Sequence, residues 1–273
     1  MATCYRHPNR ETGVSCSSCG RPICTDCMTP TNVGMRCPDC AKQRTKVVRM
    51  REMTRAPRVT YALIAINVLV FLAERGQFSL SGSELHGAVV NEGFLDRATI
   101  SVVHQYWRLV TNAFIHENFL HIFFNMYLLY LIGTMLETSI GSARFAAIYV
   151  ASMFASSFGV LIWGNGISIG ASGAVFGVMG AAAVEMKARG HRLSETGIGA
   201  LIVINLIFSF LVPDISIGAH IGGLIGGVIA GLAVRAADNR RMPALGFAAC
   251  VVISVASIAG SLAVAGATGG GFA

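Results

Sequence analysis

The sequence predicts an all-α polytopic membrane protein preceded by a small zinc-stabilised domain. Three observations carry that expectation. The 273 residues are 53% hydrophobic and only 13% charged, against about 25% charged in an ordinary soluble domain. Seven apolar segments recur, at approximately 59–73, 117–137, 144–163, 171–186, 197–212, 216–234 and 244–266. Seven of the eight cysteines fall before residue 41. The expected domains are a zinc finger over 1–41, a basic juxtamembrane linker over 42–58, a membrane core over 59–236, and an additional transmembrane helix with a short tail over 237–273.

The cysteines come as two-ligand knuckles: Cys4-x-x-His7, Cys16-x-x-Cys19, Cys24-x-x-Cys27 and Cys37-x-x-Cys40. Two ligands one turn apart grip one ion, and eight ligands complete two tetrahedral sites. A segment this short buries too little apolar surface to fold unaided, so two structural zinc ions are expected to supply the stability. Disulfides would need an oxidising compartment, and the topology below puts this segment in the cytosol. The arrangement resembles a B-box-type zinc finger. That resemblance implies cross-bracing, with Cys4, His7, Cys24 and Cys27 on one ion and Cys16, Cys19, Cys37 and Cys40 on the other.

Lys42, Arg44, Lys46, Arg49, Arg51, Arg55 and Arg58 face the single acid Glu52. A basic run abutting an apolar segment marks the cytoplasmic side and attracts anionic lipid; no nucleic-acid partner is expected. With the N-terminus inside, the inner loops carry Arg144, then Lys187, Arg189 and Arg192, then Arg235, Arg240 and Arg241. The outer connections carry Arg75, Arg97 and Arg108, all in the long first one, where Trp107-Arg108 suits the lipid–water boundary. The net charge of +7 is thus mostly orientation. The expected location is the cell membrane, with the N-terminus cytoplasmic and the C-terminus outside. A Cys-rich segment precedes the first apolar run, so no signal peptide is expected. The compact chain and the lack of an organellar leader suggest a bacterial protein. The finger suits a cytoplasmic protein partner.

Within the apolar segments the stretch Gly170-Ala-Ser172-Gly173 to Gly177 first reads as a small-residue packing face. Two other segments change that reading. His121 and Asn125 project from one face of the second. In the sixth, His220 precedes Gly223, Gly227 and Gly231, whose four-residue spacing makes a groove for close helix approach. In the predicted topology, segments two, four and six descend from the same side. Ser172, His220, His121 and Asn125 then share a depth within about 10 Å of it. Costly intramembrane polar groups are functional candidates. His220 is placed to take the Ser172 proton, with Asn125, His121 and the Ser172 N–H as oxyanion donors. No buried acid presents itself as an orienter, which favours a Ser–His dyad over a triad.

These motifs, with Gly133-x-x-x-Glu137 and Trp107-Arg108, resemble the rhomboid family of intramembrane serine proteases over about residues 60–235. The resemblance implies a six-helix core plus a seventh helix here. It also implies nucleophile Ser172, base His220, oxyanion contributions from His121 and Asn125, and transmembrane protein substrates whose helices unwind easily. It gives His116 a structural or water-binding role and requires no catalytic cofactor. Two rivals stand beside it. One is a silent rhomboid-like protein that binds membrane clients. The other is a metal site of His116, His121 and His220, which lacks an HExxH pair and leaves Ser172 without a role.

Overall fold

Turn residues and cysteines dominate the first forty positions, and they fold there into hairpins too small for an apolar core. The structure is a computed structural model, described here over residues 2–42, 56–74, 92–163, 167–212 and 215–269. It divides into two units, Met1–Thr54 and Arg55–Ala273. In the first, β1 (Ala2–Thr3) pairs antiparallel with β2 (Glu11–Thr12), and β3 (Thr29–Thr31) with β4 (Gly34–Arg36). A short helix, α1 (Pro38–Ala41), starts on a proline, with the Cys37 side chain accepting from the Cys40 N–H. The buried residues are chiefly Ile23 and six cysteines. The basic run over 43–55 lies outside the described residues.

In the second unit each of the seven apolar segments is helical. They are α2 (Arg58–Glu74), α5 (Phe119–Ile140), α6 (Ser142–Trp163), α7 (Ser172–Ala188), α8 (Ile198–Leu211), α9 (Ile217–Asn239) and α10 (Pro243–Gly269). Short helices α3 (Arg97–Ser101) and α4 (Arg108–Thr111) lie in the connection before α5. Among the described residues four helices are long and apolar enough to cross a membrane: Phe119–Ile140, Ser142–Trp163, Ile217–Asn239 and Pro243–Ala267. The unit is an all-α membrane protein.

Glycine stripes set the packing. A Cβ on Gly223 would run into the Gly173 carbonyl, and one on Gly227 into the Gly177 carbonyl, so α9 meets α7 backbone to backbone. A second stripe, Gly218, Gly222 and Gly226, presses in the same way on Gly159 and Ala155 of α6. Only the first of these stripes is predicted above. Two stripes about 100° apart on one helix wedge α9 between α6 and α7.

Several polar residues are fixed by hydrogen bonds and ion pairs near the helix ends. Asn118 caps α5 by accepting from the His121 N–H at 2.9 Å, so His116 lies ahead of this helix. Arg108 is buried: its Nε donates to Gln105 Oε1 at 2.6 Å and a terminal nitrogen to the Phe94 carbonyl at 2.8 Å. Trp107 is the exposed member of the pair. At the opposite helix ends, Arg144 pairs with Asp238 at 2.7 Å, and Arg189 with Glu185 at 2.8 Å. Some of the basic residues read as orientation signals therefore also clamp the bundle.

Glu137 closes the bundle from within. Fully buried on α5, it accepts from the Val59 and Thr60 N–H groups at 2.9 and 2.7 Å, and from the hydroxyls of Thr60 and Ser142 at 2.7 and 2.5 Å. The first N–H groups of a helix have no partner within it, and a carboxylate suits that positive end. Glu137 thereby caps α2 across 78 residues of chain. Gly133, one turn earlier, leaves room for Thr60. Replacing Glu137 strands several buried donors, each costing about 1–3 kcal/mol. Glu137→Ala is expected to lower unfolding stability by about 4 kcal/mol, and Glu137→Gln, which keeps the shape, by about 2 kcal/mol. Denaturant unfolding in detergent reads both; a change within error for Glu137→Ala would refute the capping role.

Candidate active site

Ser172 is the first residue of α7, and its position follows from the turn before it. Gly170 has φ +113°, a backbone conformation that favours glycine. Its N–H donates to the Asn112 carbonyl at 2.8 Å, and a side chain there would meet His121 Nε2 at 2.6 Å. Ser168 pairs by both backbone groups with Leu95, at 2.8 and 3.0 Å, tying the turn to the long connection. The Ala171 N–H lies 3.4 Å from His116 Nε2, so His116 supports the turn and not the reacting hydroxyl.

His220 is the fourth residue of α9, whose start Ser216 caps. The glycine contacts of α7 and α9 bring the two helix starts together, and His220 Nε2 lies 2.7 Å from Ser172 Oγ. Phe176, one turn after Ser172, stacks on the imidazole with ring centroids 4.2 Å apart and planes 24° from parallel. The other imidazole nitrogen, Nδ1, lies 2.5 Å from Ser209 Oγ on α8. The sequence reading missed Ser209. A signal was present in Asn205 and Ser209, two polar residues four apart in an otherwise apolar helix.

Asn125 and His121 converge on the same place from α5. His121 Nε2 and Asn125 Nδ2 would lie 2.6 and 3.6 Å from a Cβ on Gly170. Asn125 is buried, and its Nδ2 has no hydrogen-bond partner among the described residues. A buried amide donor left open costs free energy unless a ligand oxygen meets it. All four residues line one cavity of about 580 Å³, walled by Phe124 and Tyr127 of α5 and by Leu201, Ile204 and Phe208 of α8. This arrangement can activate a hydroxyl through His220 and receive an oxyanion at Asn125, His121 and the positive end of α7. Glu137 and Glu185, both buried, bond elsewhere and do not reach His220.

In the first unit the ligand atoms gather into two sets, Cys4, His7, Cys24 and Cys27, and Cys16, Cys19, Cys37 and Cys40, each within 4.8 Å. Two sulfurs on a tetrahedral zinc stand about 3.8 Å apart for Zn–S of about 2.3 Å, and Cys19 and Cys37 Sγ are 3.8 Å apart. His7 Nδ1 lies 3.3, 3.4 and 3.9 Å from the sulfurs of Cys24, Cys27 and Cys4. The donor sets fit a thiophilic tetrahedral ion and can bind metal. The Cys37 N–H donates to Cys16 Sγ at 3.2 Å and brings that thiol down to about 6, against burial, which pushes it up. Among the described residues these are the only such clusters; His116, His121 and His220 form none.

Residues 103–237 match the rhomboid domain family. Rhomboid protease GluP of Bacillus subtilis is 33% identical over 169 residues, 61% of this chain and 32% of GluP. RHOMBOID-like protein 1 of Arabidopsis thaliana is 38% identical over 95 residues, 34% of this chain and 24% of that protein. Inactive RHOMBOID-like protein 8 of the same plant is 34% identical over 118 residues, 43% of this chain and 33% of that protein. The chain spans a third or less of the length of each of these relatives.

Proposed function

We propose that this chain, whose residues 103–237 match the rhomboid domain family, is an intramembrane serine endopeptidase acting on transmembrane protein substrates. The observation that carries this reading is the 2.7 Å contact between Ser172 Oγ and His220 Nε2 in an apolar cavity. His220 takes the Ser172 proton as Oγ attacks a substrate carbonyl, and it returns that proton to the leaving amine. The oxyanion is met by Asn125 Nδ2, His121 and the Ser172 N–H. Water then repeats the sequence on the acyl-enzyme, with His220 again as base. A substrate helix must open locally, because an intact one keeps its carbonyls in hydrogen bonds. No cofactor takes part in these steps.

The first unit holds two structural zinc ions in this reading, with the two ligand sets above. It lies in the cytoplasm of a cell membrane protein of bacterial type, where it meets a protein partner, with the basic linker on anionic lipid and the C-terminus outside.

A second reading, a silent protein that holds membrane clients, has one observation in its favour: a relative is named as inactive. Full-length chain in proteoliposomes decides between them, given a single-span reporter and a fluorophosphonate probe for activated serines. Cleavage with labelling at Ser172 is the expected result; neither cleavage nor labelling supports the silent protein. In the same assay Asn125→Ala is expected to lower kcat about 10- to 100-fold with KM little changed, because the lost donor acts on the oxyanion. An unchanged kcat would remove Asn125 from the site.

A further inference from the structure

We propose that Ser209 is a positioning residue that fixes His220 in the tautomer a general base requires, an inference that rests on the protease reading above. A serine hydroxyl has one proton and two lone pairs. Ser209 Oγ donates that proton to the Asn205 carbonyl at 2.8 Å. Toward His220 Nδ1, 2.5 Å away, it therefore presents a lone pair, and Nδ1 carries the hydrogen. A neutral imidazole has one N–H, so Nε2 keeps its lone pair and faces the Ser172 hydroxyl at 2.7 Å. The opposite tautomer would aim an N–H at Ser172 and leave the nucleophile's proton without an acceptor.

Stacking on Phe176 sets the plane of the ring but is indifferent to a flip within that plane. The two nitrogens are told apart by their partners, Ser172 at Nε2 and Ser209 at Nδ1, and Ser209 is the one outside the reaction. Ser209 and His220 are both buried, which limits competition from water for that partner. A hydroxyl also does this without placing a charge beside the imidazole in an apolar interior, where an unpaired carboxylate is costly.

The test compares Ser209→Thr with Ser209→Val, side chains of similar shape that differ in the hydroxyl, together with Ser209→Ala, all in the full chain in proteoliposomes. Ser209→Val and Ser209→Ala are expected to lose about 10-fold in kcat with KM little changed, and Ser209→Thr to stay within about threefold of the parent. Nitrogen-15 spectra of histidine-labelled parent, with His220 assigned by its loss in His220→Ala, should show Nδ1 protonated and Nε2 bare; Ser209→Ala should shift that balance. A parent protonated at Nε2 overturns the proposal whatever the variants do. Unchanged kcat in Ser209→Val and Ser209→Ala, or equal loss in the Thr and Val variants, also overturns it, the latter by assigning Ser209 to packing. Ser172→Ala in the same assay separates the two readings: if it still cleaves, the protease reading fails, while the spectra report the tautomer independently.

Discussion

Ser172→Ala and His220→Ala are each expected to lower cleavage of a transmembrane reporter by about 10,000-fold, to background. The size follows from the chemistry. Without Oγ no covalent intermediate forms, and without the imidazole no group at 2.7 Å takes the hydroxyl proton. A factor of 10,000 is about 5.5 kcal/mol of transition-state stabilisation. The two residues act as one unit, so the double variant should be no slower than either single one. Binding should survive, because the cavity wall of Phe124, Leu201 and Phe208 is untouched. A competition assay with uncleaved substrate should therefore show affinity within a few-fold of the parent. Either single variant cutting as well as the parent would refute the protease reading. Gly170→Ala is a useful contrast: every reacting group remains, but the side chain meets His121 and strains the turn that presents Ser172.

How much of this was readable in advance depends on whether the signal was local. Ser172, His220, His121 and Asn125 stand in short motifs with glycine at helical spacing, and those spacings have direct meaning on a helix. The seven helices were likewise visible as apolar segments. Glu137 was visible only as the end of a motif. Its partners Val59 and Thr60 lie more than 75 residues earlier, and no periodicity announces a cap across that distance. Ser209 is hard to single out in the sequence because a serine in an apolar helix usually satisfies itself on the carbonyl four residues back. It does so here, and that bond is what leaves its lone pair for His220. The Trp107-Arg108 pair reads as an interfacial anchor, but the sequence does not announce that the Arg108 side chain is buried. Whether such an arginine faces lipid or bonds the Phe94 carbonyl depends on how the long connection folds back.

Removing zinc is expected to unfold residues 2–42 while leaving the membrane unit folded and active. The buried apolar side chains of the first unit are Ile23 and six of the ligand cysteines, while His7 and Cys19 are exposed. One fully buried isoleucine contributes about 3 kcal/mol, and domains this small seldom fold on that alone. Structural zinc in finger peptides binds with of order 10 kcal/mol at neutral pH, and there binding is folding. Metal analysis of the full chain should find about two zinc ions, and none after a strong chelator. Amide exchange over 2–42 should then rise to open-chain rates while α5, α7 and α9 stay protected. Reporter cleavage should persist, since no metal-ligand cluster lies at Ser172 among the described residues. The cross-braced pairing makes a sharper claim. Cys4→Ser with Cys24→Ser disables one site and should leave about one ion; Cys4→Ser with Cys16→Ser disables both and should leave none. If neighbouring knuckles shared an ion instead, those two outcomes would exchange. A chain that carries no zinc at all would refute the finger, and loss of cleavage on chelation would reopen a metal role at the histidines of the membrane unit.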